Sequence, residues 1–212
     1  MNNTIRETLK NFIPSSIILF IKEIDTKNYI KKLLNKQEKI YLEIGAGDQK
    51  SKNGWITLDV TRNCDIYWDL RKGIPFPNVS IQKIYSSHLF EHLSFEEGQE
   101  LLAECLRVLV PGGSFSICVP NAKLYIEAYL KGDRLDSSKF FSYQPAYNDI
   151  SRIDYVNYVA YMGGEHKYMF DEENLVAILK KAGFRNVHLR SFNASIDKQE
   201  REFESIYAKA QK

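Results

Sequence analysis

Cysteine is scarce, with Cys64, Cys105 and Cys118 the only three in 212 residues. They are too few and too widely spaced for a disulfide framework or a cysteine-based zinc site, and they fit a reducing, cytoplasmic setting. An excess of one charge is also missing, since 29 basic residues meet 27 acidic ones. Phosphate neutralisation needs clustered positive charge, so no nucleic-acid partner is indicated. Long apolar runs are lacking: the strongest, Ile17–Ile21, is closed at once by Lys22 and Glu23. That is far below the roughly 20 residues that span a bilayer, and no stable membrane insertion is expected. Arg6, Glu7 and Lys10 interrupt the opening residues, which do not read as a secretory signal. Repeats and low-complexity tracts are absent, and nothing sets an oligomeric state. What is present, 44% hydrophobic and 26% charged residues, suits a soluble folded domain.

The chain divides into a helical segment over residues 1–36, with a start signal at Pro14–Ser15, and a main domain over residues 37–212. In the main domain, Lys39–Ile44 is a short apolar strand running into Gly45-Ala46-Gly47-Asp48. Glycines at the carboxyl end of a strand let backbone N–H groups approach a ligand closely. A second strand, Trp55–Asp59, ends on a carboxylate that can accept hydrogen bonds from both hydroxyls of a ribose. The third glycine of a dinucleotide fingerprint is missing, because Asp48 and Gln49 follow Gly47. The connection over residues 45–55 is too short to hold a crossover helix, so no helix N-terminus waits for a pyrophosphate. A nucleoside without phosphates is the better match.

Asp65–Leu70 reads as a third extended segment, and Pro75-Phe76-Pro77 as a rigid turn. Ile81–Ser87 is a fourth strand that delivers His88 to its end. Leu101, Leu102, Cys105, Leu106 and Leu109 recur at helical spacing within 94–109, with Ser94 as the cap. Pro111-Gly112-Gly113 stops that helix, and Ser114–Val119 is a fifth strand.

Together LEIGAGDQKSKNGWITLDV, DLRKGIPFPNVSIQKIYSSHLFEHL, LLAECLRVLVPGGSFSICVPN and GGEHKYMFDEENLVAILKKAGFRNV resemble the small class I S-adenosylmethionine-dependent methyltransferases of the type 11-like kind. The resemblance covers residues 40–121 and 163–190. It implies an α/β, Rossmann-like fold with a seven-stranded, mostly parallel sheet. A C-terminal antiparallel hairpin would be formed by Val187–Phe192 and Ser205–Lys209. It also implies S-adenosyl-L-methionine as cofactor. Glu43, Gly45, Ala46 and Gly47 would lie along its methionine part, Asp59 on the ribose, and Asp69 with Leu70 at the adenine. Ser87 and His88 would stand beside the sulfonium and the acceptor. The shortened first loop leaves open which group beyond Gly47 holds the methionine carboxylate.

For His88 two roles stand side by side: a general base near neutral pH, or a histidine that shapes the pocket. His166, after Gly163-Gly164-Glu165, is a second candidate base on a segment able to close over the acceptor. Glu91 and His92 are expected to fix a turn, His188 to be structural, and Trp55 and Trp68 to pack near the loops. Residues 121–165 form a Tyr-rich lid or cap insertion, carrying Tyr125, Tyr129, Tyr143, Tyr147, Tyr155, Tyr158 and Tyr161 beside Arg134 and Arg152. Its tyrosines would grip a polar acceptor or serve as half-buried filler, and an arginine would hold a phosphate.

The expected activity is methyl transfer to a small polar acceptor, oxygen ahead of nitrogen. From the resemblance, that acceptor is a sugar or phosphate-bearing metabolite of surface-saccharide or secondary metabolism. This reading assigns no metal. A competing one does: His88-Leu89-Phe90-Glu91-His92 fits H-x-x-E-H, a zinc-hydrolase pattern normally held within a helix, with Glu165-His166 offering a third ligand. A third reading is a non-catalytic cofactor-binding module that regulates a partner.

Overall fold

The alternation of Leu42 and Ile44 with Tyr41 and Glu43 settles as strand β1 (Tyr41–Ile44). It pairs in parallel with β2 (Trp55–Asp59) on one side and β4 (Ile81–Ser87) on the other. The computed structural model describes residues 15–212 except 37, 62 and 142, so the helical expectation for residues 1–14 lies outside the described residues. The remaining strands are β3 (Ile66–Tyr67), β5 (Leu109–Pro120), β6 (Arg185–Leu189) and β7 (Ser205–Gln211). They form one seven-stranded sheet in the order β3-β2-β1-β4-β5-β7-β6. β1 to β5 run parallel, and β7 is antiparallel to both β5 and β6. This is the expected Rossmann-like arrangement with its C-terminal antiparallel pair. The chain leaves β1 toward β2 and β3, then returns to β4 on the other side. A crevice therefore opens between the carboxyl ends of β1 and β4, where sheets of this kind bind ligands.

β6 lies at Arg185–Leu189 instead of the expected Val187–Phe192, β1 starts at Tyr41 instead of Lys39, and β7 runs on to Gln211; two other strands depart further. Asp65–Leu70 contributes only Ile66–Tyr67, because its polar side chains are engaged outside the ladder. The Asp65 carboxylate accepts from Thr57 N and Thr57 Oγ1 at 2.9 Å each, and the Trp68 indole donates to the Gly73 carbonyl at 2.8 Å. Asp69 caps a 3₁₀ turn at Leu70–Lys72. β5 instead begins early, at Leu109, and runs through Pro111-Gly112-Gly113. The stretch from Leu109 to Ser114 faces only Ile81 to Lys83, so a bulge absorbs the extra residues without ending the strand.

Helix α1 (Ser15–Asn35) is a single helix against the β3 edge. Thr26 Oγ1 donates to the Tyr67 carbonyl, and the Lys22 ammonium lies 3.5 Å from the centre of the Tyr67 ring. Helix α2 (Phe95–Val108) starts on a capping box between Ser94 and Glu97. Its Leu101, Leu102 and Cys105 pack on the sheet face that carries Leu42, Ile44, Leu58, Ile84, Phe115 and Ile117. Burying each such aliphatic or aromatic side chain stabilises by roughly 1.5–3 kcal/mol. Short helices α3 (Ala122–Lys131), α4 (Ser137–Phe140) and α5 (Ile153–Tyr161) follow β5 and enclose a separate cluster. Helix α6 (Glu172–Lys181) returns to the main core through Leu175, Ile178 and Leu179.

Candidate active site

The loop after β1 and the end of β2 are tied together by one carboxylate. Asp59 Oδ2 accepts from the Gly47 N–H at 2.9 Å, and Oδ1 accepts from the Thr61 N–H at 3.1 Å. Thr61 Oγ1 closes the knot by donating to the Gly47 carbonyl at 2.7 Å. Gly45 and Gly47 both take left-handed backbone angles. They differ in what surrounds them. A β-carbon at Gly45 would meet the Leu89 side chain at 2.8 Å, whereas nothing lies within 4 Å of one at Gly47. Gly45 thus makes room for the turn beyond β4, across the crevice, and Gly47 faces open space. Ala46 is buried behind them.

Glu43 stands on the opposite sheet face from Leu42 and Ile44, beside Tyr85 in register. That face is covered by the connection from β6 to β7 rather than by a helix. Asp197 on this connection receives Tyr85 Oη at 2.9 Å, two guanidinium nitrogens of Arg190 at 2.6 and 2.8 Å, and the Asn193 N–H at 2.7 Å. Arg190 Nε also donates to Ser116 Oγ. Between this connection and the first loop lies a cleft of about 360 Å³, lined by Glu43, Gln49, Lys52, Trp55, Asp197 and Lys198 among others. Burial raises the Glu43 carboxyl above its ordinary value and, with Arg201 nearby, lowers the Lys198 ammonium. The cleft is therefore charged on both sides, with Glu43 and Lys52 toward the first loop and Asp197 and Lys198 on the connection.

At the end of β4, Ser87 is buried and His88 takes a left-handed backbone angle that swings its ring inward. His88 Nε2 lies 2.8 Å from Ser205 Oγ, and Nδ1 lies 3.5 Å from Glu91 Oε1. Burial holds its imidazole well below the usual histidine range, with Arg201 adding to the effect, so the ring is neutral. Glu91 is 2% exposed, and burial pushes its carboxyl up to about 8. His166 is also buried, with Nδ1 2.8 Å from the Val159 carbonyl, and its ring meets that of His92 at 5.0 Å between centres. His88 and His92 do not form the helical pair that the zinc-hydrolase pattern requires. A 3₁₀ turn at Phe90–His92 separates their directions, sending His88 to Ser205 and His92 to His166.

The family model described as methyltransferase domain matches residues 52–117, the span from the first loop through β2 and β4 into β5. With the seven-stranded sheet order, that match marks a Rossmann-like class I methyltransferase fold. Among solved structures, the chain is similar to 1,6-didemethyltoxoflavin-N1-methyltransferase from Burkholderia thailandensis. The two are 12% identical with a TM-score of 0.50, over 88% of this chain and 78% of that one. It is also similar to a SAM dependent methyltransferase from Archaeoglobus fulgidus, at 16% identity and TM-score 0.49, covering 90% and 94% of the two chains. No curated protein matches the chain.

Elsewhere in the chain, Asp69 is engaged by Arg71 at 2.8 Å, which holds its carboxyl below the ordinary range, and Leu70 is half-buried beside it. The tyrosines of the insertion divide. Tyr125, Tyr155 and Tyr158 are buried around Phe141, while Tyr129, Tyr143 and Tyr161 are exposed. Tyr147 stacks on Phe141 at 3.9 Å. Arg134 and Arg152 are exposed along an open hollow, and Arg152 donates to the Gly132 carbonyl. Trp55 and Trp68 are half-buried packing residues, and His188 is exposed on β6. Sequence reasoning missed Asp197, Lys198, Arg201 and Ser205. Their segment carries no glycine signature, and only the sheet order brings it over β1 and β4.

Proposed function

We propose that the chain is a methyltransferase that binds S-adenosyl-L-methionine across the carboxyl ends of β1, β2 and β4 and transfers its methyl group to an oxygen of a small polar acceptor. The observation that carries the reading is the knot of Gly47, Asp59 and Thr61 at the mouth of the β1–β4 crevice, next to a cleft with charged walls. In this reading Asp59 exchanges its present partners for the ribose hydroxyls, and Glu43 takes the methionine ammonium. Gly45, Ala46 and Gly47 lie along the methionine chain. Lys198, with Lys52 at the rim, takes the carboxylate that the shortened first loop leaves without a helix N-terminus. Asp69 and Leu70 flank the adenine, and Ser87 and His88 face the sulfonium.

Methyl transfer is an in-line displacement at carbon, so catalysis is chiefly alignment of nucleophile and sulfonium. A neutral His88 is in the right form to accept the acceptor's proton as the new bond forms. His166, buried and bonded to a backbone carbonyl, is assigned to positioning. The insertion over residues 121–165 covers the acceptor side, and a sugar or phosphate-bearing metabolite suits its exposed tyrosines and arginines.

A calorimetric titration with S-adenosylhomocysteine tests the reading. One-to-one binding that weakens at least roughly tenfold in Lys198→Ala, the value of one charge-assisted hydrogen bond, supports the assignment. Unchanged affinity in that variant removes Lys198 from the site. Absence of binding to the wild-type chain rejects the cofactor.

A further inference from the structure

Side chains from two distant parts of the chain converge beyond the end of β4. A carboxylate oxygen of Glu91, a ring nitrogen of His92 and one of His166 all lie within 4.8 Å of one another. Glu91 is 2% exposed, and neither of its carboxylate oxygens has a hydrogen-bond partner. A buried carboxylate left in this way is costly unless a donor or a cation meets it. The histidines supply the complementary feature. His92 Nδ1 lies 3.0 Å from the Glu165 carbonyl, and His166 Nδ1 lies 2.8 Å from the Val159 carbonyl. A ring nitrogen against a carbonyl is the protonated donor, so in each neutral imidazole Nε2 keeps a free lone pair. Backbone carbonyls hold metal-ligating histidines in this way.

The spacing suits a small ion. His92 Nε2 is 3.9 Å from Glu91 Oε1. Tetrahedral zinc with bonds of 2.0–2.2 Å sets its ligand atoms about 3.3 Å apart, so a modest side-chain rotation closes the set. Two imidazoles and one carboxylate favour a first-row transition ion over calcium or magnesium, which prefer all-oxygen surroundings.

We propose that Glu91, His92 and His166 form a binding site for a divalent transition-metal ion such as zinc, with coordination positions left open for an oxygen of the acceptor. The ion would stand next to His88, whose Nδ1 lies 3.5 Å from the same Glu91 oxygen. It would also bridge the turn after β4 to the Gly163-Gly164 segment that carries His166. The ligand set differs from that of the zinc-hydrolase pattern, since His88 is outside it. Binding of the ion stands on these three residues alone, whereas the acceptor at its open positions rests on the methyltransferase reading.

The test is a titration of chelator-treated protein with cobalt(II), followed by visible absorbance and then by competition with zinc. One cobalt per chain with the intense bands of a four- or five-coordinate site, displaced by zinc, is the expected result. His92→Ala, altering the half-exposed ligand, should keep the fold by circular dichroism and weaken cobalt binding at least tenfold, as should Glu91→Gln and His166→Ala if they fold. A spectrum that stays that of the hydrated ion, or equal affinity in His92→Ala, overturns the site. Acetohydroxamate, an oxygen-donor probe, should shift the cobalt bands, and unshifted bands overturn the open positions. S-adenosylhomocysteine is titrated into the same samples. Loss of that binding with the cobalt bands intact rejects the methyltransferase reading and leaves the metal site standing.

Discussion

The two faces of the sheet are built on different principles. One carries Leu42, Ile44, Leu58, Ile84, Phe115 and Ile117 and is sealed by helices α2 and α6. The other carries Glu43, Trp55, Tyr85, Ser116 and Tyr207 and is covered by the irregular connection between β6 and β7, held down through Asp197 and Arg190. The reason lies in the first loop, where β1 reaches β2 without a helix. A face left without helical cover needs polar partners at fixed positions. The apolar face is held by packing, and the polar one, held by a buried ion pair, also supplies the walls of the cleft.

That contrast is open to direct challenge. The largest effect is expected from Asp197→Ala, which strands the Arg190 guanidinium under the connection. Breaking such a buried pair costs about 3–5 kcal/mol, measurable by denaturant unfolding. A loss below about 1 kcal/mol would mean that the connection is a solvated loop and the two faces are not comparable. Leu102→Ala on the apolar face should cost about 2–5 kcal/mol in the same assay, while leaving S-adenosylhomocysteine affinity unchanged where folded. Asp59→Ala should do the opposite. It is expected to weaken that affinity by roughly 1–3 kcal/mol, the loss of a carboxylate partner for buried polar groups, as read by calorimetry.

The smallest effect concerns Glu104, whose carboxylate receives Arg107 at 2.6 and 2.7 Å and the Ile74 N–H at 2.8 Å. The Arg107 hydrogen bond holds its carboxyl below the ordinary 4.5. A depressed carboxyl contributes stability that is present above the unfolded-state value and lost as pH falls through the folded one. Glu104→Gln should therefore cost about 1 kcal/mol at pH 7 and progressively less in acid below about pH 4.5, the half-exposed pair being screened by solvent. A difference independent of pH would assign the effect to packing.

Much of the fold was legible because apolar alternation is a local signal. β2 and β4 fall on their expected residues, and Ser94 caps α2 as its side chain and Glu97 imply. β3 shrank because Asp65 turns back to Thr57 while Trp68 and Asp69 serve the turn that follows, polar engagements that apolar alternation does not display. In the insertion, tyrosine has an apolar face and a polar tip, so spacing alone could not tell the buried Tyr125 and Tyr158 from the exposed Tyr143. The glycine loop and Asp59 stood out through their order along the chain. The convergence of His166 on Glu91 and His92 depended on burial that a sequence does not display, although the His-x-x-Glu-His spacing and the Gly-Gly-Glu-His step were visible hints.

The sheet order has a consequence for assembly. β7 lies between β5 and β6, although β6 precedes it along the chain. Until β7 docks, β6 has no strand to pair with, and the connection that bears Asp197 and Lys198 has no anchored end. The cleft wall and the sheet edge are thus completed together when β7 docks. A chain arrested just before β7 docks would lack a finished ligand site together with the Ile206, Ala208 and Ala210 part of its core.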